Sequence, residues 1–302
     1  MKKAALLLFL VGCSGRIVPD GAGLELLWNE GAFTEGGAVD ASGGILFSDI
    51  GDRLMRFDPK TGKTAVFRQP SGKGNGMAFD PQGRLLVCEG GARRVSISDL
   101  AGVRTLCDRF EGKRFNSPND IVVDRQGRAY FTDPRYGDGP ARELDFEGVF
   151  LVTPDGKVSL ATRELQRPNG IQLSPDGRVL YVADNHSDPK GNHHLVAFDV
   201  QPDGALKNKR ILHDIGPDKR GIDGMKVDVD GNLYATAGTG AKAGIYVFDP
   251  SGRLLETLPM PGDPTNCVFD GTTLYITAQA PNKRWSLYRI SLRAAGHRIF
   301  PK

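Results

Sequence analysis

The sequence predicts an all-β protein: a six-bladed β-propeller of four-stranded antiparallel blades, its ring closed by an N-terminal strand. Three observations lead there. One stretch of sequence recurs six times, long 3.6-residue periodicity is nearly absent, and an apolar strand near the N-terminus is unpaired while the last repeat lacks a strand. The copies begin at Glu35, Asn75, Asn119, Asn169, Asp223 and Thr265, so their starts lie 40, 44, 50, 54 and 42 residues apart. That spacing suits a four-stranded blade, and a β-sandwich would not explain six equivalent copies.

Each copy opens with an apolar strand, a tight Asp/Ser-x-x-Gly turn and a returning apolar strand, as in NDIVVDRQGRAYFTD from Asn119. This is a β-hairpin. A third alternating run follows, such as RLMRFDP from Arg53 or GIYVFDP from Gly244. TAVFRQP, VRTLCDRF, VSLATREL, LKNKRILHDI and LLETLPM supply fourth strands to the first five copies. The sixth has none, whereas LELLWN at residues 24–29 precedes the first hairpin without a partner, so the N-terminus completes the last blade.

Ahead of that strand, residues 1–15 read MKKAALLLFLVGCSG, two lysines and then an apolar run of eight residues. This is a secretory signal, far shorter than the roughly 20 residues of a spanning helix. Leu10-Val11-Gly12-Cys13 resembles the bacterial lipobox, which makes Cys13 the lipidated first residue of the mature protein. Residues 1–12 are then a lipoprotein signal peptide, and 13–302 a single propeller domain with a tether over about 13–22. Ser14 stands where an inner-membrane retention signal would place Asp. The expected location is therefore the bacterial envelope, lipid-anchored to the outer membrane and facing the periplasm, with the protein a monomer.

Losing Lys2 and Lys3 leaves 37 basic against 36 acidic residues, and no basic stripe interleaves with aromatics. A nucleic-acid partner is excluded on that balance. The remaining cysteines, Cys88, Cys107 and Cys267, are odd in number and form no CxxC, so buried thiols are the default, with one bridging pair left open.

In a propeller the first strand of each blade lines the axial channel, so its opening residues form a ring. That ring reads Glu35, Asn75, Asn119, Asn169, Asp223 and Thr265. Six converging oxygen-bearing side chains are costly to bury without a counterpart. One divalent cation answers that, and all-oxygen ligation favours a hard ion. Calcium leads, with magnesium, manganese and zinc as alternatives; a water-filled polar channel is the plain one. A hairpin later the chain regains the same rim at Asp49, Glu89, Asp133 and Asp184, carboxylates placed to polarise the ligands or to meet substrate hydroxyls. His186 follows as a substrate contact, while His193, His194 and His213 are assigned to the surface. The polar segment ADNHSDPKGNHHL is expected to overhang the channel mouth.

FTEGGAVD, RFNSPNDIVVDRQGRAYFTDPRYG, RPNGIQLSPDGRVLYVAD, GIDGMKVDVDGNLYATA and PTNCVFDGTTLYITA together resemble the SMP-30/gluconolactonase/LRE family of metal-dependent lactonases over nearly the whole mature chain. The resemblance implies metal ligation by Glu35, Asn119, Asn169 and Asp223. Many relatives read CEHG where this chain has Cys88-Glu89-Gly90-Gly91, which puts substrate preference in doubt. The implied reaction is hydrolysis of a small lactone or ester, foremost a sugar lactone such as gluconolactone. Asp223 is the candidate general base and Glu35 a pure ligand. Asn75 and Asn119 orient the carbonyl or a hydroxyl, and Arg114 or Arg167 holds a ring substituent, beside Asp133 and His186. Aryl-ester or phosphotriester hydrolysis on the same metal site and a noncatalytic cell-surface binding propeller are the alternatives. GKGNG at residues 72–76 lacks the helix that would make it a phosphate loop, and neither GxSxG nor HExxH occurs.

Overall fold

The computed structural model describes residues 17–99, 101–136, 140–217 and 220–299, together with the backbone of residues 7–8. Cys13 and the lipobox lie outside the described residues.

The hairpin turns are built alike. Asp124 Oδ1 accepts the backbone N–H groups of Gln126 and Arg128 at 2.9 Å each, Arg128 Nε donates to Asp124 Oδ2 at 2.7 Å, and Gly127 sits at φ +79°. The left-handed residue demands glycine, and the Asp replaces a backbone acceptor. Asp40, Asp80 and Asp228 bind their own turns in the same way.

These hairpins become the inner half of six sheets. Blade 1 comprises Thr34–Val39, Ile45–Asp49, Arg53–Asp58 and Lys63–Arg68, in that order from axis to rim. Blades 2 to 5 repeat it from Gly74–Phe79, Ile121–Val123, Pro168–Leu173 and Met225–Val227. Blade 6 takes Pro264–Asp270, Thr273–Gln279 and Trp285–Ser291 from the C-terminal end of the chain, and Leu24–Gly31 from the N-terminal end as its outer strand. Leu7–Leu8 adds a short strand outside that. Closure is set in register by Glu25 opposite Arg289 and Leu26 opposite Tyr288, with a 2.7 Å ion pair between Arg289 and Glu25.

The six-blade expectation, the four-stranded antiparallel blades and the closing strand all hold. Second strands such as Ile45–Asp49 are buried along their length because neighbouring blades cover both faces, while the outer strand Lys63–Arg68 is largely exposed. Apolar clusters lie between successive blades all the way round: Phe131 and Phe150 of blade 3 join Cys88 and Ile97 of blade 2, and Tyr234 of blade 5 joins Phe269 of blade 6. Burial between blades thus holds the ring shut.

Cys88, Cys107 and Cys267 are all buried free thiols. Cys88 and Cys107 both pair with Val95, from its two sides. They stand roughly two strand spacings apart, about 9–10 Å, beyond a disulfide's reach.

Candidate metal centre and active site

The ring is assembled by contacts between blades. Inner strands of blades 1, 2, 4 and 6 enter through bulges, for example between Glu35 and Ala38 and between Pro168 and Ile171. A bulge re-aims the side chain beside it. In blades 3 and 5 the regular strand starts only at Ile121 and Met225, and Asn119 and Asp223 are tethered by their backbone N–H groups to Thr132 O and Thr236 O at 2.9 and 2.8 Å. Hydroxyls near the ends of second strands hold the next blade's ring residue: Ser48 Oγ donates to Asn75 O at 2.5 Å and Thr132 Oγ1 to Asn169 O at 2.8 Å. Glycine follows four ring positions because the blades meet there; a Cβ on Gly170 would lie 2.0 Å from Asp223 O.

Five of the six ring residues, Glu35, Asn75, Asn119, Asn169 and Asp223, line a cavity of about 610 Å³ at one end of the channel. Thr265 does not. It is fully buried, and its hydroxyl donates to Thr34 O at 2.7 Å, joining blade 6 to blade 1. The cavity wall is completed by Tyr136, by the 186–192 loop through His186, Ser187 and Pro189, and by Arg220.

Glu35 and Asp223 are 5% and 9% exposed, so two carboxylates are withdrawn from water side by side. Burial, then the Asp223 charge, pushes the Glu35 carboxyl well above its ordinary value. Burial raises Asp223 as well, opposed by Arg220, whose guanidinium donates to Asp223 Oδ2 at 3.2 Å, and by Asn169 Nδ2, which donates to Oδ1 at 2.9 Å. Glu35 has less support, accepting Gly36 N–H at 3.1 Å and Asn266 Nδ2 at 3.4 Å. Burial therefore raises both carboxyls, and the two titrate as a pair.

One guanidinium offsets one of two buried negative charges, so the pair is short of positive charge when both ionise. Among the described residues no three His, Cys, Asp or Glu side chains cluster. The donors on offer are two carboxylates and amide oxygens, which suit a hard divalent ion and lack the nitrogen and sulfur that zinc prefers. Glu35, Asn119, Asn169 and Asp223 fit such an ion.

The SMP-30/Gluconolactonase/LRE-like region is matched over residues 33–280. The chain belongs to that family. A gluconolactonase of Zymomonas mobilis subsp. mobilis is 33% identical over 285 residues, 84% of this chain and 77% of that one. A solved gluconolactonase from Xanthomonas campestris is 33% identical, with 93% of this chain and 99% of that one covered and a TM-score of 0.80. The diisopropyl-fluorophosphatase of Loligo vulgaris is 28% identical over 256 residues, 77% of this chain and 78% of that one.

In this SMP-30/gluconolactonase/LRE-like chain the second rim is structural. Asp133 is fully buried away from the cavity, and its two oxygens accept the backbone N–H groups of Asn116 and Ser117 at 2.7 Å each. Asp49 binds Ala32 and Phe33 N–H, Asp184 binds Arg167 N–H, and Glu89 pairs with Arg68 and Arg94. Three of these carboxylates clamp the segment entering their own blade, and Glu89 bridges two guanidiniums, so Asp133 is corrected from a substrate contact to a scaffold residue.

Arg114 is corrected as well, since its guanidinium donates to Ala92 O at 2.6 Å outside the cavity. Arg167 reaches Glu147 at 3.1 and 3.2 Å, packs on the Tyr136 ring and donates to Ser187 Oγ at 2.6 Å, but does not itself line the cavity. Asn75, Asn119 and His186 do line it. The surface assignment fails for His193, which is 5% exposed, lines the cavity and approaches His186 O at 2.8 Å through Nε2. The sequence pattern does not single out Tyr136 or Arg220. Arg220 stands three residues before Asp223 and Tyr136 inside FTDPRYG, but neither occupies a repeated position.

Proposed function

We propose that the protein is a hydrolase that opens a lactone ring, foremost a sugar lactone such as gluconolactone, using one divalent cation, foremost calcium, on Glu35, Asn119, Asn169 and Asp223. The observation that carries this is the buried Glu35–Asp223 pair among amide donors at the floor of a 610 Å³ cavity, in a chain 33% identical to a gluconolactonase.

A bound cation would supply positive charge to the lactone carbonyl oxygen as negative charge develops there. Asp223, paired with Arg220, takes a proton from the attacking water. The water oxygen bonds to the carbonyl carbon, the acyl C–O bond of the ring breaks, and the released ring oxygen takes up a proton as the product hydroxyl. Asn75 and Asn119 orient the carbonyl and hydroxyls, while His186 and Ser187 present polar groups from the loop at the cavity wall.

The test is initial-rate hydrolysis of a panel of sugar and simple lactones by metal-stripped protein, with each divalent ion restored in turn. Activity that is equal with and without chelator, or absent on every lactone, overturns the proposal. A phosphotriester belongs in the same panel, because the 28% identity to diisopropyl-fluorophosphatase makes that ester class the second reading. We also propose that Cys13 anchors the protein by lipid to the outer membrane, facing the periplasm.

A further inference from the structure

Asn169 brings one carboxamide to the ring, and only its oxygen can serve a hard cation. Turning the amide over would present nitrogen instead, so something must fix its orientation. Both hydrogens of Nδ2 are engaged, one by Asp223 Oδ1 at 2.9 Å and the other by the Tyr136 hydroxyl oxygen at 3.0 Å. Tyr136 accepts there because its own proton is directed to Asn185 O at 3.1 Å. Turned over, Asn169 would set its oxygen against a carboxylate and against a hydroxyl whose proton is committed elsewhere.

Tyr136 is itself braced. The Arg167 guanidinium carbon lies 5.2 Å from the centre of its ring, and Arg167 is held by two contacts to Glu147 and by Ser187 Oγ at 2.6 Å. Glu147 also accepts Arg135 N–H at 3.0 Å and pairs with Arg142. Arg167, fixed in this way on the segment entering blade 4, therefore packs on the same phenol that contacts Asn169 and Asn185.

We infer that Tyr136 is a positioning residue, holding the Asn169 carboxamide with Oδ1 turned toward the cation, and that Arg167 and Glu147 act through it. The inference rests on the metal-dependent reading above. It is tested by calcium titration calorimetry on four metal-stripped proteins: wild type, Tyr136→Phe, Asn169→Asp and the double variant. Tyr136→Phe keeps the ring over Arg167 but loses the acceptor, so calcium binding is expected to weaken about 10- to 100-fold. The metal-free Tm is expected to stay within about 3 °C, because one partly exposed hydrogen bond is lost. A carboxylate at 169 has two equivalent oxygens and nothing to orient, so in the Asn169→Asp background Tyr136→Phe is expected to change calcium affinity less than about twofold.

Equal calcium affinity of wild type and Tyr136→Phe overturns the inference. So does a loss that is equally large in the Asn169→Asp background, which would reduce Tyr136 to a structural support. Failure of the wild type itself to bind any divalent ion removes the metal-dependent reading instead, and the two failures are thereby told apart.

Discussion

Replacing Asp223 with asparagine separates the base from the ligand. The carboxylate accepts Asn169 Nδ2 at 2.9 Å on one oxygen and Arg220 at 3.2 Å on the other. An asparagine has a single acceptor oxygen, so one of these contacts becomes donor against donor. If the Arg220 contact is lost, the cost is about 1.5–3 kcal/mol. The same change removes a carboxylate whose burial is itself unfavourable, and that relief offsets part of the cost. The metal-free Tm is thus expected to move by only a few degrees, while calcium affinity falls.

The rate carries the decisive number. Loss of a general base costs at least about 100-fold, or about 2.7 kcal/mol of activation free energy, and added metal cannot restore it. Glu35→Gln makes the same charge change without removing the proton acceptor, so its rate is expected to recover substantially at saturating calcium. The assay is initial-rate gluconolactone hydrolysis, followed by acid release, across a calcium series for both variants. Near wild-type turnover by Asp223→Asn at saturating calcium would refute the assignment of Asp223 as base.

Other perturbations address the scaffold, the titration of the site and the anchor. Asp133→Asn leaves one oxygen for two backbone donors at 2.7 Å, so stability is expected to drop by about 1–3 kcal/mol with kcat/KM of the folded protein unchanged; lost activity at unchanged Tm would return Asp133 to the site. Because Glu35 titrates well above its ordinary 4.5 in the metal-free protein, calcium binding is expected to release protons and to weaken as pH falls toward that raised value. The same shift makes the Glu35 contribution to metal-free stability full at low pH, below the unfolded value, and lost as pH rises through the folded one. Calorimetry in buffers of different ionisation heat checks this, and pH-independent binding with no proton release counts against it. Cys13→Ser is expected to move the mature protein to the soluble periplasmic fraction with full activity; continued membrane association of the variant would contradict the lipid anchor.

The sequence by itself determined the architecture, because hairpins are local. The Asp-x-x-Gly turns, the alternation on either side and the sixfold recurrence identify each blade without reference to its neighbours, and the unpaired LELLWN could complete only the repeat that lacked a strand. Ring membership followed from the same register, since equivalent positions of equivalent blades must share a level on the axis. Five of six such positions reach the cavity. What repetition could not decide is which way a polar side chain turns once neighbouring blades meet. Thr265 belongs to the first ring and Asp133 to the second rim, yet one spends its hydroxyl on Thr34 O and the other its carboxylate on two entering N–H groups, because buried backbone groups at a blade junction must find partners. Tyr136 and Arg220 come from connections outside the repeated hairpins and His193 from the start of blade 4's third strand, so only the packed ring brings them to the cavity. Local pattern sets strands and register, while the path of the loops and the pairing of buried polar atoms are settled by contacts far apart in sequence.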